Sequence, residues 1–157
     1  MSNGQSFEQC DFEISPFATK LTGTIKAEVY EEGGVEPTTI ISVDEAWYVD
    51  VEWTLKGHMR RHLCGQWCVT VSLESIGKGN EYSLPDPSEH FPIDPCNNGT
   101  YKKRISVAAG TIKPEDCGTL YLIAVTLTSL DACERPGHIA AYCKGPNLMF
   151  YVASDGD

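Results

Sequence analysis

The residues with the most chemical capacity crowd into His58-Met59-Arg60-Arg61-His62-Leu63-Cys64-Gly65-Gln66-Trp67-Cys68, where two imidazoles and two thiols are all zinc ligands by type. Compact zinc sites set their cysteines two to four residues apart across a tight turn. Cys64 and Cys68 instead lead into an alternating stretch, and four residues of strand hold two side chains about 13 Å apart. They do not share one ion. His58, His62 and Cys64 form a candidate metal set if residues 57–63 loop back on themselves. The plainer reading is an exposed polar turn with Arg60 and Arg61 in solvent.

A cysteine nucleophile needs a histidine that favours its thiolate and a third group that orients the histidine. Seven cysteines and four histidines make chance pairs easy, and no cysteine stands in a thiol-enzyme signature. Neither a Ser-His-Asp order nor a phosphate-cradling glycine loop is present. The expectation is therefore no catalytic residue, no cofactor-binding residue and no cofactor. Cysteine chemistry points as well to a bridge: Cys96 and Cys117 flank the candidate strand around Ile105, and joining them would close a loop of about 20 residues. Cys64 or Cys68 with Cys133 or Cys143 is equally drawable, and mostly free thiols are the alternative.

Lys56, Arg60, Arg61, Lys102, Lys103 and Arg104 hold six of the twelve positive charges and form a candidate partner-binding surface. Glu31, Glu32 and Glu36, beside Gly33-Gly34, would suit them in head-to-tail self-association. The bland reading is a set of charges scattered over solvated turns. Asn98-Gly99-Thr100 is a glycosylation sequon by pattern and reads as a turn.

These residues must be carried by strands, because apolar positions recur at every second residue and nowhere at helical spacing. Trp47, Val49, Val51, Trp53 and Leu55 alternate with Tyr48, Asp50, Glu52 and Thr54, giving one buried and one wet face. Trp67 to Leu73 repeats the rhythm before the turn residues Gly77-Lys78-Gly79-Asn80, and Leu21 to Val29 does so before Gly33-Gly34 and Pro37. Tyr101 to Val107 follows. Leu120 to Thr128 is apolar on both faces and belongs in mid-sheet. Ile139 to Cys143 and Leu148 to Val152 close the chain, and Phe12 to Phe17 and Thr38 to Val43 are weaker strands. The proline-rich stretch 83–100 reads as a surface loop crossing between sheets.

Residues Lys113-Pro114-Glu115-Asp116-Cys117-Gly118-Thr119-Leu120-Tyr121 resemble the Asp-x-Gly-x-Tyr corner before the sixth strand of immunoglobulin-like domains. The resemblance makes Trp53 the inward tryptophan of the third strand and has the Tyr121 hydroxyl bond back to the chain upstream. One extra residue separates Gly118 from Tyr121, and Ile123 stands where an antibody-type domain has its bridging cysteine. It implies architecture and not activity.

At 157 residues, with 41% apolar and 22% charged residues, the chain has material for one core. The expected fold is all-β, an antiparallel two-sheet immunoglobulin-like sandwich of seven to eight strands over 1–157, with flexible ends at 1–10 and 153–157. The net charge of −10 repels nucleic acid and anionic membranes, and ten acids against two bases fall in the first fifty residues. No apolar run spans a membrane and no signal peptide is evident, so the expected location is cytoplasmic rather than secreted. The leading function is a non-enzymatic protein-interaction or structural module that binds a protein partner or itself. The alternatives are a small metal-binding or thiol-dependent enzyme using residues 58–68, and a carbohydrate-binding module stacking sugars on Trp47 or Tyr48.

Overall fold

The computed structural model describes residues 7, 9–15 and 20–153. Ten strands run in chain order: β1 (Gln9–Ile14), β2 (Thr22–Glu31), β3 (Ile40–Ser42), β4 (Trp47–Lys56), β5 (Gln66–Ile76), β6 (Tyr82–Leu84), β7 (His90–Pro92), β8 (Thr100–Val107), β9 (Thr119–Leu130) and β10 (Pro136–Tyr151). A five-residue 3-10 turn, His58–His62, is the one helical element among the described residues. None of them forms a helix long and apolar enough to cross a membrane.

The strands make two sheets that pack as an antiparallel β-sandwich. The small sheet has the order β2-β4-β8, and the large one runs β1-β10-β9-β5-β6, with β7 also on β5 and β3 parallel to β10. The alternation in β4 and β5 sends Trp47, Val49, Val51, Trp53 and Leu55 against Trp67, Val69, Val71 and Leu73, all buried. Trp53 is fully buried, meets Trp67 edge-on at 5.5 Å and stacks on Tyr101 at 5.6 Å. Ring pairs of this geometry add about 0.5–1.5 kcal/mol each beyond the area they bury.

Several expectations change. Seven strands have six residues or more, and three short ones bring the number to ten; of these, β7 falls inside the stretch expected to be loop and β6 overlaps its start. The remainder of that stretch does cross from the large sheet to the small one, between β7 and β8. The two closing strands are one, β10, whose register against β9 shifts between Lys144 and Asn147. That shift turns the inward set from Ile139, Ala141 and Cys143 to Leu148 and Phe150, which breaks the two-residue rhythm at Gly145-Pro146. Of the ends expected to be flexible, Gln9 and Cys10 open β1; residues 1–6, 8 and 154–157 lie outside the described residues, as do Pro16 and Phe17 of the expected strand 12–17. β9 does lie in mid-sheet, but its second face is open, with Leu120 36% and Leu122 45% exposed.

The bridge also falls elsewhere. Cys10 and Cys143, direct cross-strand partners in β1 and β10, are joined, and Cys96 and Cys117 are exposed free thiols. Cys96 precedes β8 and Cys117 follows it, so eight residues of extended strand, about 26 Å, stand between the segments that carry them. Cys64, Cys68 and Cys133 are free too.

The corner at Gly118 is built differently from the family pattern. The Tyr121 hydroxyl is buried and makes no hydrogen bond back to the chain upstream, and burial first, then the neighbouring Tyr82, pushes its pKa up. The upstream chain is held by Tyr82 instead, whose hydroxyl accepts from the Lys113 amide at 2.9 Å.

Candidate functional site

Strand β4 leaves the small sheet at Lys56 and must turn at once to reach β5 in the large one. Gly57 makes the turn with φ of +126°, and a Cβ there would overlap the Lys20 carbonyl, so only glycine serves. The 3-10 turn follows, its Arg60 amide donating to the Gly57 carbonyl at 3.4 Å. Gly99, with φ of +101°, packs its α-carbon beside Leu55 and the Arg60 guanidinium while the Leu55 amide donates to its carbonyl at 2.7 Å. The loop before β8 is thereby pinned against the turn.

Side-chain oxygens brace this loop from within. Asp94 Oδ1 accepts from the Cys96 amide, Asn97 Oδ1 from Gly99 and Asn98 Oδ1 from Thr100, at 2.6 to 3.0 Å. Asn98 is thus an Asx-type turn residue, in keeping with the turn reading of the sequon. It lines a depression together with Lys56, His58, Arg60 and Arg61; a second hollow beside it is lined by Arg60, Arg61 and residues 95–98. Neither hollow has an acidic residue in its lining. Among the described residues Lys56, Arg60 and Arg61 enter no ion pair.

The other three cations of the expected surface are elsewhere. Arg104 is held on the outward face of the small sheet by a two-pronged bond to Asp50, at 2.8 and 3.0 Å, and lies 3.8 Å over the Tyr48 ring. That bond and the Asp50 charge push its pKa up. Lys102 sits across from Glu52 on the same face, while Lys103 points inward from the edge strand β8, 3.7 Å from Glu89 and 5.4 Å from the Phe91 ring centre. The sequence-level cluster therefore divides: Arg104 and Lys103 are ion-paired, Lys102 lies beside Glu52 without an ion pair among the described residues, and Lys56, Arg60 and Arg61 gather at the sandwich end with no acid in the lining.

The remaining candidates disperse. His58 belongs to the basic depression, while His62 and Cys64 line a separate, mainly apolar cavity of about 270 Å³ with Met59, Leu63 and Ile139. No three His, Cys, Asp or Glu side chains among the described residues gather where an ion could sit. Trp47 is buried against Phe150, and the Tyr48 ring is stacked by Tyr30 and covered by Arg104, so neither offers a flat face to a sugar. The sequence reading missed the parts of His58 and Asn98. The sequon's own turn signal was the available clue to Asn98.

The acidic pole is at the opposite end. Glu31 pairs with Trp47 and Thr22 with Lys56 along the antiparallel β2 and β4, so Glu31 and the turn after it lie a strand length, about 30 Å, from the basic depression. No protein-family model matches the chain, and no curated protein matches it significantly.

Proposed function

We propose that this domain is a non-enzymatic protein-interaction module, an immunoglobulin-like sandwich whose basic end takes a carboxylate-rich segment of another protein. One observation carries the reading: in a chain of net charge −10, Lys56, Arg60 and Arg61 converge on one depression without an acid in its lining. Two guanidiniums suit paired carboxylates, because each presents a fixed fork of donors. The rest of the acidic surface repels a wrongly oriented acidic partner, which favours register and encounter at this end. The scaffold supports an immunoglobulin-like assignment through its seven long strands and the buried Trp53. The Cys10–Cys143 bridge favours an oxidising compartment over the cytoplasm expected from sequence.

The test is binding of a fluorescein-labelled Glu-rich peptide at low and high salt. Binding that weakens with salt and falls at least about tenfold in Arg60→Glu/Arg61→Glu, but not in Lys102→Glu, supports the reading. Equal binding by the three proteins, or none by the wild type, overturns it.

A further inference from the structure

The outward face of the large sheet breaks the rule that its solvent side be polar. Across four strands Ile76, Leu120, Met149 and Ile40 lie in one row, with Leu122 one row further along β9. Ile76 is 47% exposed and Ile40 59%. Single exposed apolar residues need no explanation, but a contiguous row across a sheet marks a contact surface.

We propose that this face is the interface of a homodimer in which two large sheets pack face to face around a two-fold axis running along β9. The occupant is chosen by self-complementarity. Such an axis lays β9 on its own copy and β5 on β10 of the second copy. Leu120 and Leu122 then meet their own counterparts, and Ile76 meets Met149 of the second copy, since both share the Leu120 row. Glu74 flanks Leu122 from β5, and Lys144 flanks Ala124 from β10, one row away on the other side. Both are exposed, and among the described residues neither has an ion pair. The axis makes them diagonal neighbours twice over, Glu74 of each copy beside Lys144 of the other. At the rim, Glu13 and His90 share the Thr128 row on opposite sides of β9, so in an aligned packing each faces the other across the dimer.

The size fits. Five strands at about 4.8 Å spacing and eleven residues of β5 at about 3.3 Å give a face of about 700 Å². A standard specific interface takes about 800 Å² from each partner. Packed sheets sit about 10 Å apart and interleave their side chains, which the exposed Leu and Ile tips permit. The basic end lies off this face, so the dimer stands or falls independently of the proposed function.

Sedimentation and light scattering of the full chain between about 1 and 300 µM would show the dimer. Leu122→Glu is expected to weaken it at least about tenfold. Glu74→Lys or Lys144→Glu alone should weaken it, and the charge-swapped double variant Glu74→Lys/Lys144→Glu should restore it, which loss of folding cannot mimic. A circular dichroism melt confirms that each variant is folded, and Leu122→Gln replaces Leu122→Glu if that variant is not. A wild type that stays monomeric, a dimer that tolerates the Leu122 change, or a double variant no better than the singles overturns the proposal.

Discussion

On the outward face of the small sheet, cross-strand rows set Lys26 beside Glu52 and Asp50 beside Arg104, then Tyr30 against Tyr48 and Thr54 against Thr100. The same row geometry on the large sheet sets Ile76, Leu120, Met149 and Ile40 side by side. Both faces use one construction, with side chains about 5 Å apart across strands. The first face satisfies its groups within the sheet and leaves a partner little to gain. The second keeps its apolar tips in water, where burial is worth about 25 cal/mol per Å². Specificity for a partner therefore belongs on the face that is locally incomplete.

The largest effects should come from beneath both faces. Trp53→Ala empties the centre between the sheets and is expected to destabilise the domain by about 3–5 kcal/mol in urea denaturation. A loss under about 1 kcal/mol would mean that the tryptophan cluster is not the core. Next comes the strap that fastens β1 to the large sheet. Cys10→Ser opens a long loop in the unfolded chain and should lower stability by about 2–4 kcal/mol. In the wild type, thiol titration of the denatured, unreduced protein should find five groups, rising to seven on reduction.

Neighbours in β9 separate inside from outside. Ile123→Ala, at a buried site, should cost about 2–4 kcal/mol, while Leu122→Ala, read at protein concentrations low enough to hold the monomer, should stay within about 0.5 kcal/mol. Similar losses at both would show that the outer face is covered within one chain.

The polar face has a pH signature. Tyr30 donates to the Glu28 carboxylate, and that bond, with burial second, pushes its pKa from 10.0 up to about 12. The unfolded phenol therefore loses its proton first. The stability this group contributes is whole below pH 10 and disappears as the pH rises from there to about 12. Tyr30→Phe should lack that part of the alkaline loss; an unchanged profile would place the cause elsewhere. The smallest effect is expected at Asp50→Asn, which should remove the protected Arg104 side-chain NH signal in NMR spectra while leaving the denaturation midpoint unmoved.

Residues 47–55 and 67–73 were legible as strands because each buries one face, and a two-residue alternation is what one-sided burial writes into a chain. The apolar outer positions of 120–128 were visible too, though not their meaning. A doubly apolar strand reads the same whether a helix layer, a second copy or water covers it. β6 and β7 were hidden because three-residue strands among prolines take their order from pairing with β5 rather than from any rhythm of their own. The basic surface was half legible: its cations can be counted along the chain, but the Asp50 and Glu52 opposite two of them enter only through the register of β4 and β8, and the Glu89 beside a third only through the fold.

The order of residues alone set the fold class, the mid-sheet place of β9, the inward tryptophans and the acid-rich first third, for these follow from local periodicity and composition. Which cations stand uncompensated, which cysteines join and which apolar positions share a row were decided only by strand pairing across long separations, such as the 133 residues between Cys10 and Cys143. The physical reason is that solvent exposure is imposed residue by residue, whereas charge compensation, bridging and surface contiguity belong to pairs that the chain brings together only when the sheets close.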